Sequence, residues 1–168
     1  GRTVYRNNLD GTFTEATAAF GLSGGGDARD AAFADFDDDG RLDVVVAGAS
    51  GVTLLHNGGA QRFADVTAAS GLAGANATVV AADDYDNDGA IDLFIAAGAE
   101  AALWRNRGDG TFTRDTRSAA VLQTLRGAPI ASAAFVDHDN DGWLDLVVGT
   151  ANGVAFLRND GTGKLIDR

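Results

Sequence analysis

Three stretches of the chain place carboxylates at alternating positions: Asp35-Phe36-Asp37-Asp38-Asp39-Gly40-Arg41-Leu42-Asp43, Asp84-Tyr85-Asp86-Asn87-Asp88-Gly89-Ala90-Ile91-Asp92 and Asp137-His138-Asp139-Asn140-Asp141-Gly142-Trp143-Leu144-Asp145. Each has Asp at positions 1, 3, 5 and 9 and Gly at position 6. Alternate side chains of a tight loop converge on one centre, and the Gly permits the positive φ of a sharp turn. Four like charges in one turn repel and raise each other's pKa values. A hard divalent cation reverses that penalty, and oxygen-only donors select calcium over zinc or copper. The expected side-chain ligands are Asp35, Asp37, Asp39 and Asp43; Asp84, Asp86, Asp88 and Asp92; and Asp137, Asp139, Asp141 and Asp145. Position 7 offers a backbone carbonyl, which leaves its side chain free to vary, as Arg41, Ala90 and Trp143 do. With position 9 bidentate and one water, each set supplies about seven oxygens, a number that suits calcium.

The flanking residues decide what kind of loop this is. An EF-hand requires Glu at position 12, where this chain has Val46, Ile95 and Val148, and it requires flanking helices. Here each loop lies between strand-like runs. A run of small residues precedes it (Ala31–Ala34, 78–82, 132–136) and a nearly continuous apolar run follows (42–46, 91–95, 144–148), which reads as a strand buried on both faces. A third run ends in Leu55-His56-Asn57, Trp104-Arg105-Asn106 or Leu157-Arg158-Asn159, and Tyr5-Arg6-Asn7 matches it near the start. Turns rich in Gly, Asn and Asp then lead to a fourth, alternating run.

The loops recur after 49 and then 53 residues, from Asp35 to Asp84 and from Asp84 to Asp137. A period near 50 built from short strands is that of a propeller or solenoid. The expected fold is all-β: propeller blades of four antiparallel strands, about three and a half in this chain. Residues 1–24 form a half blade and linker, and 25–74, 75–127 and 128–168 one blade each. The third linker, from Ser118 to Ala128, is longer and more polar than the others. Propellers close with typically 4 to 8 blades, so the ring is expected to be completed by self-association or by a longer parent chain. The chain opens at Gly1, with neither Met nor a signal-like segment, as a piece of a longer polypeptide would.

Composition narrows the partners. A net charge of −11 argues against nucleic acid and against anionic lipid surfaces. More than half of the 24 acidic residues lie in the three loops, so the acidity is local. No apolar run approaches the length of a membrane span. The absence of Cys excludes disulfides and thiolate metal sites.

The loop, the following Leu-Asp-Val or Leu-Asp-Leu run, the Arg-Asn pair and Gly108-Asp109-Gly110-Thr111-Phe112-Thr113 together resemble FG-GAP/VCBS-type repeats, the calcium-bearing blades of integrin α-subunit-like β-propellers. In detail they look most like bacterial secreted proteins of the ASPIC/UnbV-related group. The resemblance covers essentially the whole chain. It implies calcium on one face of the ring, an extracellular or periplasmic setting, and a non-enzymatic role in adhesion, binding or scaffolding, with a protein or glycan ligand. Two alternatives stand beside this one: part of a polysaccharide-acting or other enzyme propeller, and an engineered or excised blade array that assembles into a ring.

Other residues carry blander expectations. Arg107-Gly108-Asp109 spells an adhesion tripeptide but sits at a recurring turn. His138, at loop position 2 like Phe36 and Tyr85, is expected to point away from the ion. Arg6, Arg105 and Arg158, with His56 in the same register, are expected to pair with nearby acids or to cover outer strands. Trp104 reads as core; Trp143 and Tyr85 could line a rim.

Overall fold

Short apolar runs separated by Gly-, Asn- and Asp-rich turns cannot build long elements, and the chain forms strands of three to seven residues. The computed structural model describes residues 3–22, 27–60 and 62–167; the junction expected between residues 24 and 25 lies outside these. A two-stranded ribbon comes first, β1 (Tyr5–Asn7) with β2 (Phe13–Glu15). Three four-stranded antiparallel meanders follow. The first is β3 (Ala28–Ala34), β4 (Asp43–Gly48), β5 (Gly51–Asn57) and β6 (Phe63–Asp65). The second is β7 (Val79–Asp83), β8 (Asp92–Ala97), β9 (Glu100–Asn106) and β10 (Phe112–Asp115). The third is β11 (Ile130–Val136), β12 (Asp145–Thr150), β13 (Gly153–Asn159) and β14 (Leu165–Asp167). These are propeller blades, three whole and one half, as the repeat period implies.

The blades stack face to face. Their first strands stand side by side, with β3 and β11 flanking β7. Between the first two blades, Val45, Leu54 and Phe36 meet Val80, Leu93 and Phe112 in one buried cluster. Between the second and third, Phe94, Leu103 and Tyr85 meet Leu146, Leu157 and Leu165. A strand sandwiched in this way has no polar face, which is why β4 is buried along its whole length. Its counterpart β12, in the third blade, is only partly so.

The second strand of each blade begins at the ninth loop residue (Asp43, Asp92 or Asp145), one residue later than expected, and that carboxylate belongs to the sheet as the sequence implied. One element departs from expectation. The third linker is not merely polar. It forms a short helical segment, α1 (Ala119–Leu122), running on into a 3-10 turn at Gln123–Leu125, and buries Leu122 and Leu125 in the cluster between the second and third blades.

Close approach between blades also limits side chains at the turn after the third strand. Gly163 has φ +75°, and a Cβ there would lie 2.4 Å from the Asp86 Cβ of the preceding blade. Gly108, at φ +81°, has open space instead. Gly163→Ala should therefore destabilise the fold by about 1–3 kcal/mol, the combined effect of left-handed strain and overpacking. Gly108→Ala carries the strain alone and should cost about 1 kcal/mol. Urea denaturation of both variants checks the order; equal losses would contradict the contact between blades.

Candidate metal centres

Each acidic loop is folded by its own first carboxylate. Asp35 accepts hydrogen bonds from the backbone N–H groups of Asp39 (3.1 Å) and Gly40 (2.8 Å). Asp84 does so from Asp88 (3.1 Å) and Gly89 (2.9 Å), and Asp137 from Asp141 (3.1 Å) and Gly142 (3.0 Å). The fifth carboxylate accepts from the seventh N–H, as Asp39 does from Arg41 at 2.9 Å, Asp88 from Ala90 at 3.0 Å and Asp141 from Trp143 at 2.9 Å. Glycine at position 6 has positive φ in all three loops. So does position 4, through Asp38, Asn87 and Asn140 at φ 55–57°. The sequence carried that second signal, since Asp and Asn are the residues that best tolerate the left-handed region.

This folding brings the expected ligands together. Oxygens of Asp35, Asp37 and Asp39 lie within 4.8 Å of one another, as do those of Asp137, Asp139 and Asp141, and those of Asp84, Asp86 and Asp92. Asp43 joins Asp37 in the first loop, and Asp145 joins Asp139 in the third. Position 9 also carries a structural bond. One oxygen of Asp43, Asp92 and Asp145 accepts the backbone N–H of Asn57 (2.7 Å), Asn106 (2.8 Å) and Asn159 (2.7 Å) respectively. The carboxylate thus ties the loop to the third strand; its other oxygen accepts from Phe36 N–H in Asp43, meets His138 in Asp145, and is unpartnered in Asp92.

The second loop is the most enclosed. The Asp86 side chain is 2% exposed, against 26% for Asp37 and 32% for Asp139. The turn of the third blade at Gly163 covers Asp86, whereas the third loop has no later blade over it. Asp86 Oδ1 and Asp92 Oδ2 are buried with no hydrogen-bond partner, and so is Asp37 Oδ1 in the first loop. Burial, reinforced by Asp86, Asp88 and Asp84, pushes the Asp92 carboxyl up to about 8, against the opposing hydrogen bond from Asn106. Burial and the neighbours Asp43 and Asp39 raise Asp37 in the same sense. Unpartnered buried carboxylate oxygens gathered in one cluster fit a divalent cation held by Asp84, Asp86 and Asp92; Asp88, the fourth expected ligand, lies outside that cluster and pairs with Arg105.

Basic side chains gather round the same oxygens. Arg105 pairs with Asp86 and, at 3.0 Å, with Asp88; Arg117 pairs with Asp86 at 3.0 Å. Arg158 reaches Asp139 and Asp141, each at 3.3 Å. His56 Nδ1 lies 3.1 Å from Asp37 and 3.2 Å from Asp43. The pairing expected of this register therefore holds for His56, Arg105 and Arg158. Arg117 and Arg41, which pairs with Asp39, were not anticipated. They come from the linker and from loop position 7, outside the recurring Arg-Asn signature.

Position 2 needs correction. Phe36 and Tyr85 are fully buried between blades, edge-on to Phe112 and stacked on Phe135 respectively. Tyr85 is thus no rim residue; its hydroxyl donates to Asp115, whose charge is held by Arg117. His138 does not point away from the cluster. Its Nδ1 contacts Asp145, and its ring meets Phe156 edge-on at 4.4 Å. The hydrogen bonds it and Asn159 give Asp145 hold that carboxyl below its ordinary range despite burial. Trp143 is half-buried beside Gly161, and Trp104 is half-buried against the core, as expected. In the Arg107-Gly108-Asp109 tripeptide, Asp109 accepts the N–H (2.9 Å) and hydroxyl (2.6 Å) of Thr111. Asp10 and Asp160 do the same with Thr12 and Thr162, so this is a turn element.

Comparison with known proteins agrees with the blade repeat and the fold. The profile of the FG-GAP-like repeat matches residues 1–46, 35–95 and 84–148. No curated protein gives a significant match over this sequence. Among solved structures, one from Agrocybe aegerita, described as a lectin recognising non-reducing terminal N-acetylglucosamine, has a similar fold, with 24% identity and a TM-score of 0.56. The alignment covers 98% of this chain and 44% of that one, so this chain spans less than half of the relative's length.

The electrostatics of Asp92 make a pH prediction. Its pKa is about 8 in the folded state against 3.8 for the unfolded group. A raised carboxyl brings no penalty below the unfolded value; stability then falls as pH climbs from about 4 to 8, and levels off above. With divalent ions chelated, the melting temperature of wild type minus that of Asp92→Asn should decline across that window. A difference independent of pH would show that Asp92 is neither crowded nor desolvated.

Proposed function

Because this chain belongs to the FG-GAP-like repeat family, and because its three loops cluster carboxylates, two of them with buried unpartnered oxygens, we propose that it is a calcium-binding propeller segment. It serves as a non-catalytic binding or structural scaffold in an extracellular or periplasmic setting. The observation that carries this reading is the enclosed second loop, where Asp86 Oδ1 and Asp92 Oδ2 are buried and unpartnered. Calcium, when bound, supplies the positive charge that lets such oxygens stay ionised away from water.

The chain's own residues do the rest. Asp84 holds the turn closed through two backbone N–H groups, Asp92 ties it to Asn106 of the third strand, and Asp86 completes the cluster, which Asp88, paired with Arg105, would join on releasing that partner. The loop joins the two innermost strands of its blade, so an ion there fixes their register. The carboxylates are committed to the loops, which leaves them unsuited to acid–base catalysis on a substrate. The setting follows from supply: oxygen sites of extracellular modules fill at roughly 0.1–1 mM calcium, well above cytosolic levels. The partner that completes the ring is further blade structure of the same kind, and a protein or glycan ligand would then meet the finished rim.

Calcium titration should give three ions per chain for wild type and two for Asp88→Ala, because Asp88 belongs to the second loop alone. A site occupied at about 100 times its Kd contributes roughly 2.7 kcal/mol, so chelation should lower the melting temperature markedly. A melting temperature indifferent to chelator, or a full ion count in Asp88→Ala, would refute the assignment.

A further inference from the structure

One residue breaks the pattern of the recurring Arg-Asn pair. The second and third blades carry Arg105 and Arg158 near the end of the third strand, and each guanidinium takes up the carboxylates at loop positions 3 and 5. The first blade has His56 at that register. A guanidinium stays protonated and has no lone pair to give a metal, whereas a neutral imidazole has one. Asp37 and Asp43 thus face an imidazole, and neither pairs with Arg or Lys among the described residues. Arg41, the guanidinium of this loop, pairs with Asp39 and donates to the Asn57 carbonyl instead.

The three side chains are spaced as ligands are. His56 Nδ1 lies 3.1 Å from Asp37 and 3.2 Å from Asp43, and a donor oxygen of each aspartate lies within 4.8 Å of the other. Donors bound to zinc at about 2.0–2.2 Å stand roughly 3–3.5 Å apart in a tetrahedral or octahedral shell, so an ion fits with little movement. Asp43 is 2% exposed and is held by the backbone N–H groups of Asn57 (2.7 Å) and Phe36 (3.2 Å), outer support of the kind that orients metal ligands. Asp37 keeps Oδ1 buried without a hydrogen-bond partner. A cavity of about 210 Å³, lined by Asp37, Asp43 and His56 together with Asp109 and Thr111 of the second blade, opens onto the three. It gives an ion a path of entry and leaves room for water in a remaining coordination position. The third loop also brings a His to its acids, but there Arg158 holds Asp139.

We infer that Asp37, Asp43 and His56 form a zinc site that exchanges with the calcium of the first loop. The inference rests on the reading that these loops hold divalent ions, and it gives the first of them a different preference. Calcium favours about six to eight oxygens, so a nitrogen donor adds little for it. Zinc takes imidazole and carboxylate together in a smaller shell. Zinc would engage two acids that calcium needs, so the ions compete for this loop. The second loop has two guanidinium groups and no imidazole, and stays with calcium.

Zinc titrated into the full chain in about 1 mM calcium is the test. One zinc per chain should bind, and one equivalent should lower bound calcium from three ions to two, as measured by equilibrium dialysis. The imidazole nitrogen resonances of His56 should shift with zinc, which a plain ion pair with the aspartates would not produce. His56→Arg installs the residue of the other two blades and should weaken zinc about a hundredfold or more, with circular dichroism verifying the fold. In His138→Gln one zinc per chain should still bind. Three calcium ions with no saturable zinc would overturn the inference and leave the calcium reading standing. A zinc that His138→Gln removes, or that His56→Arg does not weaken, would overturn it too. Zinc bound at His56 with no calcium on any loop would uphold this site and defeat the calcium reading.

Discussion

Carboxylates that share one turn must be satisfied or they push the turn apart, and every blade here is organised round that constraint. The first Asp of each loop draws in two backbone N–H groups, which tightens the turn and crowds the remaining acids. Crowding and burial together lift Asp92 to about 8 and raise Asp37. The surrounding side chains of Arg105, Arg117, Arg158 and His56 meet some of these oxygens but leave Asp86 Oδ1 and Asp92 Oδ2 without partners. Two elongated guanidinium groups cannot reach every oxygen of a concave cluster as a small central ion can.

The same loop is the joint between blades. Its second residue sends an aromatic ring into the next blade, and that residue's carbonyl accepts from the next blade's Asn. The next blade's outer turn then covers the third carboxylate, closely enough that Gly163 tolerates no Cβ. Ion site and stacking surface are therefore one structure. The second loop, covered closely by the turn at Gly163, has the enclosed site; the first and third keep their acids more exposed, and in the third His138 folds back on Asp145. The identity of a loop residue thus does not fix its environment, which depends on how closely a neighbouring blade covers it.

Legibility tracked the range of the interactions involved. Loop position 6, the hairpin turns and the four-strand period are local matters of φ, of hydrogen bonds two to five residues apart and of alternating polarity, and they read directly from residue types. The ninth carboxylate read as part of the oxygen set, but its bond to an N–H fourteen residues on was not legible, because that partner lies on another strand. Tyr85 and His138 were misplaced because a polar aromatic in a loop looks exposed until the neighbouring blade is set beside it. Arg117 gave no signal, since its linker matches no repeat. Leu122 and Leu125 gave a weak one, an apolar pair three residues apart in a polar stretch.

By itself, the sequence determined that this chain is an array of short-stranded units, each bearing an oxygen-rich loop suited to a hard divalent ion. That information lies within each unit, in spacing and in the conformational limits of Gly, Asp and Asn. Only the tertiary structure decided which loop is enclosed and which oxygens are left unpartnered. Those properties arise between units. Burial and desolvation depend on what stacks against a surface, and near-identical loops acquire different chemistry from their places in the stack.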